Sequence, residues 1–278
     1  MAGGFRSPSP FGENVPTGPD LSTWVGNVLE LLRMFSPGTS GEGRFQTTSW
    51  SLVIAAAEQP AESAEAALAK LCQLYWYPVY AFARRRGNSE DDARDLTQAF
   101  FSRVLEKNYL KDADPARGRF RSFLLASVRH FLANEWNREQ AEKRGGGVLT
   151  IALDRETAEG RYCLEPATQE TPERVYERQW AQALLDQVMA SLREEYASSG
   201  RLDQFERLEP FLTATDGLPY TELARQWGSS EGAVKVAVHR IRKKYRMLLR
   251  QKIAETVASP AEIDDEIRFL LAALEASP

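Results

Sequence analysis

Apolar positions recur at three- and four-residue spacing along most of the chain after Ser49, the pattern of helices that bury one face. An Ala-rich stretch after Pro60 runs into LCQLYWYPVYAFARRR, where Pro78 predicts a helix start or a kink. Ser89 precedes Asp92 by three residues, a capping-box spacing, and Ala93, Leu96, Thr97, Phe100, Phe101, Val104 and Leu105 then share a helical face. The DADPARGR segment predicts a turn at 112–119. The next helix runs from Phe120 to Arg144, with Phe123, Leu124, Ser127, Val128, Phe131 and Leu132 on one face, and Gly145, Gly146 and Gly147 end it.

The second half repeats this logic. Thr171 followed by Pro172 marks a capped helix start, after which Tyr176, Trp180, Leu184, Val188, Leu192 and Tyr196 recur every four residues. A helix over 202–212 and a turn at Asp216-Gly217 follow. The last helix begins at Ser259-Pro260, with Glu262 completing the box and Ile263, Ile267, Leu270, Leu271 and Leu274 as its stripe. No segment reads as a strand. The pattern predicts an all-α fold: two helical domains over 46–147 and 172–255, joined by a flexible linker over 148–171. A disordered Gly/Pro/Ser-rich leader covers 1–45, and an added acidic amphipathic helix covers 256–278. Met34 is a second candidate start.

Composition narrows the classes. The chain has 278 residues, 43% of them hydrophobic, enough for about two cored domains. Two cysteines, Cys72 and Cys163, and two histidines, His130 and His239, cannot build a Cys/His zinc cluster or a disulfide scaffold. No apolar run is long enough to span a membrane, and the N-terminus lacks a secretory pattern. A cytoplasmic setting without membrane contact, cofactor or metal is the expectation.

Charge is distributed unevenly. The formal net charge is −4, yet eight basic and no acidic residues fall between Gly232 and Ala254. A second block, Arg117–Arg144, holds seven basic and three acidic residues. An acidic protein with two basic blocks suggests nucleic-acid binding; a pair of solvated helix faces is the plainer alternative. The first block lies in YTELARQWGSSEGAVKVAVHRIRKKYRMLL, whose short helix, Gly228 turn, Ser230 cap and second basic helix form a helix-turn-helix pattern over 220–245. Ser230, Glu231, Lys235 and His239 are candidates for base edges. Arg240, Arg242, Lys243, Lys244 and Arg246 are candidates for phosphates. A generic helical hairpin would share the pattern, and His239 is as readily a solvated surface histidine.

In the second block, RGRFRSFLLASVRHFLANEWNREQAEKR interleaves cations with Phe120, Phe123, Phe131 and Trp136, a composition suited to unstacked bases. Phe123 and Phe131 fit the apolar face and read as core; Trp136 fits either role. Arg129, Arg138, Lys143 and Arg144 are the surface candidates. Upstream, EDDARDLTQAFF opens a helix with Asp91, Asp92 and Asp95. That cluster suits the helix dipole, a carboxylate metal site or an acidic docking face. No matching ligand helix supports the metal reading.

DDARDLTQAFF, FRSFLLASVRHFLANEWNR and YTELARQWGSSEGAVKVAVHRIRKKYR, in that order, resemble an RNA polymerase sigma factor of the sigma-70 family, extracytoplasmic-function (ECF) type. The resemblance covers about 71–144 and 178–252. It implies that 46–147 is region 2 and 172–255 region 4, and that the protein is no enzyme. It also implies partners: RNA polymerase core through its β′ clamp helices and β flap, promoter DNA, and an anti-sigma factor or protein kinase. By position, Asp92, Asp95, Leu96, Gln98 and Phe101 would dock on polymerase. Arg119, Arg121, Arg129, His130, Asn134, Trp136, Arg138, Lys143 and Arg144 would meet the minus-ten element. Ser230, Glu231, Lys235, Val236, His239, Arg240, Arg242, Lys243 and Lys244 would meet the minus-thirty-five element. The sequence departs from the family pattern at Ala99, His130, Asn134, Val236 and Ala237, and in its long linker and final helix. The alternative is a stand-alone helix-turn-helix regulator that binds duplex DNA without polymerase. The final helix either completes the region 4 core or shields the basic helix before it.

Overall fold

The computed structural model describes residues 61–105, 119–141, 155–163, 170–213, 219–257 and 259–275. The leader, the turns at 112–118 and Asp216-Gly217, and Lys143 and Arg144 lie outside the described residues, as does the side chain of Arg138. Among the described residues every regular element is a helix, as the apolar spacing predicts.

The first cluster holds α1 (Ala61–Arg85), α2 (Glu90–Leu105) and α3 (Phe120–Ala141). Helix α1 runs through Pro78 rather than starting there. The proline has no amide to offer the carbonyl four residues earlier, so one rung of the helix is missing. Burial of Tyr75, Val79, Tyr80, Phe82 and Ala83 around that rung outweighs the loss. Such all-round burial follows from packing on two sides, against α2 and against a later helix, α5 (Pro172–Ser198). Helix α2 buries Ala93, Thr97, Phe100, Phe101 and Val104, and α3 buries Phe120, Leu124, Val128, Phe131 and Leu132. Phe100 and Phe131 meet edge to face at 5.6 Å, joining α2 to α3. Phe123, placed in the core by its spacing, is half-buried.

The linker is not wholly irregular: α4 (Arg155–Cys163) lies within it and packs on α1. Its sequence, RETAEGRYC, has little apolar periodicity, and long-range polar contacts hold it. Arg84 of α1 grips Glu159 with Nε at 3.1 Å and Nη2 at 2.7 Å, and the Tyr80 hydroxyl donates to the same carboxylate.

The second cluster follows. Thr171 caps α5, its hydroxyl accepting from the Arg174 amide at 3.3 Å. Pro210 divides the expected 202–212 helix into α6 (Leu202–Leu208) and α7 (Pro210–Thr213). Then come α8 (Tyr220–Trp227) and α9 (Glu231–Ala254), a 3₁₀ turn at Pro260–Glu262, and α10 (Ile263–Glu275). At the last start, the Ser259 hydroxyl donates to the Glu262 carboxylate at 2.9 Å, with no side-chain bond to a backbone amide. The two box residues thus bond each other and not the backbone amides that a capping box satisfies.

Helix α5 joins the clusters. It packs against α1 on one side and against α6, α9 and α10 on others. Tyr176 meets Phe82 of α1 at 6.5 Å, Trp180 meets Phe269 of α10 at 6.3 Å, and Tyr196 meets Phe205 of α6 at 5.8 Å. One apolar core thus runs through both clusters.

Candidate nucleic-acid interface

Helices α8 and α9 are joined by a three-residue turn, Gly228 to Ser230. Gly228 takes φ 58° and ψ 35°, the left-handed region that glycine enters without steric cost. The Ser229 amide then reaches back to the Ala224 carbonyl at 2.9 Å, closing the end of α8. Ser230 starts α9, its Oγ accepting from the Ala233 amide at 3.2 Å. Val234, Val238, Ile241, Tyr245, Leu249 and Ile253 are buried at spacings of three and four, which turns the opposite face to solvent.

That face carries Lys235, Val236, His239, Arg240 and Lys243, all exposed. Lys235 pairs with Glu231 one turn earlier at 2.6 Å, and its ammonium is raised by that carboxylate. Two further members of the sequence-assigned set turn toward the protein. Arg242 donates to the Phe211 carbonyl at 3.3 and 3.1 Å, and Lys244 pairs with Glu195 at 2.7 Å. On α8, the half-buried Glu222 and the exposed Arg225 pair at 2.6 Å, and the guanidinium with the Gln226 amide lowers the carboxylate to about 2.

Helix α3 presents a second surface. Trp136 is 64% exposed, and Arg129, His130 and Asn134 are exposed on the same helix. An indole held in water offers a stacking face. Arg129 lies 3.7 Å from Glu173 of α5, while Arg103 of α2 crosses to Glu135 at 2.8 Å and covers the Phe131 ring. The start of α3 differs. Arg119 and the buried Arg121 both turn inward, to Glu266 of α10, and do not share the surface of Trp136.

Helix α2 presents an acidic surface. Ser89 and Asp92 bond reciprocally: the hydroxyl donates to Oδ2 at 2.6 Å and accepts from the Asp92 amide at 3.2 Å. Asp91, Asp92 and Asp95 are exposed, with Arg94 reaching Asp91 at 2.5 Å and Asp95 at 3.7 Å. Leu96 and Gln98 are half-buried. Phe101, assigned to the same face from sequence, is instead buried, packed edge to face on Phe100 at 5.4 Å.

The sequence reading missed two clusters. Around Glu159, the Arg84 guanidinium holds the carboxyl below the usual range, helped by Tyr80, while the carboxylate raises the exposed Cys163 thiol. Around Glu266, two arginines converge on a carboxylate with no exposed surface. One signal was available: Glu266 sits three residues after Ile263 and four before Leu270, on the apolar stripe itself. Among the described residues no group of three His, Cys, Asp or Glu side chains is placed to hold a metal ion, and no helix is long and apolar enough to cross a membrane.

Residues 74–142, which contain both the acidic face of α2 and the exposed aromatic-basic face of α3, match the family sigma-70 region 2. This segment is a sigma-70 region 2 domain of the ECF type. Over 181 residues the chain is 28% identical to the ECF RNA polymerase sigma factor SigE of Mycolicibacterium smegmatis (strain ATCC 700084 / mc(2)155), covering 65% of this chain and 61% of that protein. No solved structure matches the chain. The match to SigE is longer than region 2 itself and so extends past the region 2 domain.

Proposed function

We propose that the chain is a transcription initiation factor that binds RNA polymerase core and directs it to promoters. Asp92, Asp95, Leu96 and Gln98 form the polymerase-docking face of region 2, with Phe101 as its buried support. The Trp136, Arg129, His130 and Asn134 face of α3 meets the opened minus-ten element, stacking an unpaired base and holding backbone phosphates. The α8–α9 pair acts as the helix-turn-helix of region 4 and lays Lys235, Val236, His239, Arg240 and Lys243 in the major groove at the minus-thirty-five element. The reading is carried by one observation: a region 2 match whose acidic and aromatic-basic faces are both solvent-exposed, on different helices.

The test is a polymerase-core binding assay with the Asp92→Asn/Asp95→Asn double variant, which removes charge and keeps shape. Core binding by the wild type, weakened about tenfold (~1.4 kcal/mol) in the variant, is expected. Salt-sensitive binding to duplex DNA without any core binding would instead mark a stand-alone regulator, for which the exposed cations of α9 suffice.

A further inference from the structure

The Glu266 site joins parts of the chain that the proposed function keeps separate. Arg119 and Arg121 open α3, the helix assigned to the minus-ten element. Glu266 lies 145 residues beyond Arg121, on the helix that follows the basic α9. The Arg121 Nε donates to Oε1 of Glu266 at 2.6 Å and Nη2 to Oε2 at 3.3 Å, while Arg119 Nε meets Oε2 at 2.9 Å. Two guanidinium groups thus close on one carboxylate, the geometry with which arginines also take a phosphate.

Aromatic rings complete the enclosure. The Arg121 guanidinium lies 3.3 Å from the Phe269 ring centre and 5.3 Å from the Trp180 ring centre. Glu177 of α5 approaches Arg121 Nη1 at 3.9 Å, so the two cations face two carboxylates. Leu270 and Leu274 bury the rest of the stripe, and at the rim Arg250 of α9 pairs with Asp264 at 2.5 Å. From its sequence, the final helix either completes the second core or shields the basic helix. The structure shows that it does more: it packs on α5 and α9, and through Glu266 it also ties down the start of α3.

We propose that α10 is an intramolecular clasp: Glu266 occupies an arginine fork, built by Arg119 and Arg121, that takes a backbone phosphate of the opened minus-ten strand once α10 withdraws. This rests on the minus-ten reading of α3 given above. A buried ion pair adds little net stability over an apolar contact, so charge here suits an exchangeable partner better than a permanent weld. The exchange is chemically matched, one anion for another, and needs no rearrangement of α3 itself. Closure hides two cations of the basic block and lowers the apparent DNA affinity by the fraction of molecules that are open.

The test uses the full chain, a single-stranded minus-ten oligonucleotide read by fluorescence anisotropy, polymerase-core binding, and hydrogen exchange of peptides from α9 and α10. Glu266→Gln keeps the side-chain shape and removes the competing charge. It should bind the oligonucleotide about tenfold more tightly than wild type, the masking produced by a closed state at roughly 9:1, with core binding retained. In the wild type, the oligonucleotide should raise exchange in 263–275 and leave the first turns of α9 unchanged. A folded Glu266→Gln protein with wild-type oligonucleotide affinity overturns the clasp while core binding preserves the sigma reading. If the variant does not fold, the wild-type exchange decides: α10 staying protected in the complex overturns the clasp. Loss of both core and DNA binding in the wild type removes the sigma reading, and the clasp with it.

Discussion

At Gly228 a single backbone angle sets the relation between two helices. With φ at 58°, any side chain pays the left-handed penalty, yet a Cβ there would meet nothing within 4 Å. The cost of Gly228→Ala is therefore conformational and not steric. It should lower stability by about 1 kcal/mol, measured by denaturant unfolding. An unchanged midpoint would show that the turn relaxes to another conformation. Because the carbonyls of Ala224 and Arg225 are satisfied through this turn, the variant also loosens the end of α8, and duplex binding should weaken along with stability. Side chains assigned to one surface likewise separate at this scale. Lys235, Arg240 and Lys243 face water, whereas Arg242 spends its donors on the Phe211 carbonyl.

Among the elements, α9 has the plainest electrostatic signature. If its outward cations meet phosphates as proposed, each displaces about one counterion, so affinity for duplex DNA should fall steeply with salt. Lys243→Ala should reduce the magnitude of the salt slope by about one unit, and Arg242→Ala should leave it unchanged. Equal slopes for wild type and Lys243→Ala would place the phosphate elsewhere. Legibility also differs by element. Helices α5 and α9 could be read from the sequence because a cap residue and a four-residue apolar repeat agree locally. The start of α1 could not, because Pro78 signals a boundary that aromatic burial overrides. Helix α4 was invisible because its contacts come from Arg84 and Tyr80, more than seventy residues away. The candidate surfaces followed from charge, yet the burial of Phe101 and Arg121 did not. Burial depends on what packs from a distance, and in Arg121 the covering residue is 145 positions on.

For the whole molecule, α5 makes the two helical clusters interdependent, and Trp180 is where that dependence concentrates. Its ring is fully buried, lies beside Tyr75 of α1, stands 5.3 Å from the Arg121 guanidinium of α3, and meets Phe269 of α10. Trp180→Ala would remove packing from both clusters at once and leave a cavity that four helices must close. The expected loss is about 3–5 kcal/mol of unfolding free energy. Its spatial spread is more informative than its size. If one core runs through both clusters, hydrogen exchange should quicken in α1 and α10 together, while α6, which packs at the other end of α5 against Tyr196, should be affected least. Faster exchange confined to α10 would mean that the clusters are stable independently and that α5 merely touches the first. The same result bears on the proposed function: if one cluster is to sit on each of two promoter elements, contacts such as these have to separate. On that proposal, the free energy with which α5 and α10 hold the clusters together is the quantity that polymerase and DNA binding must overcome.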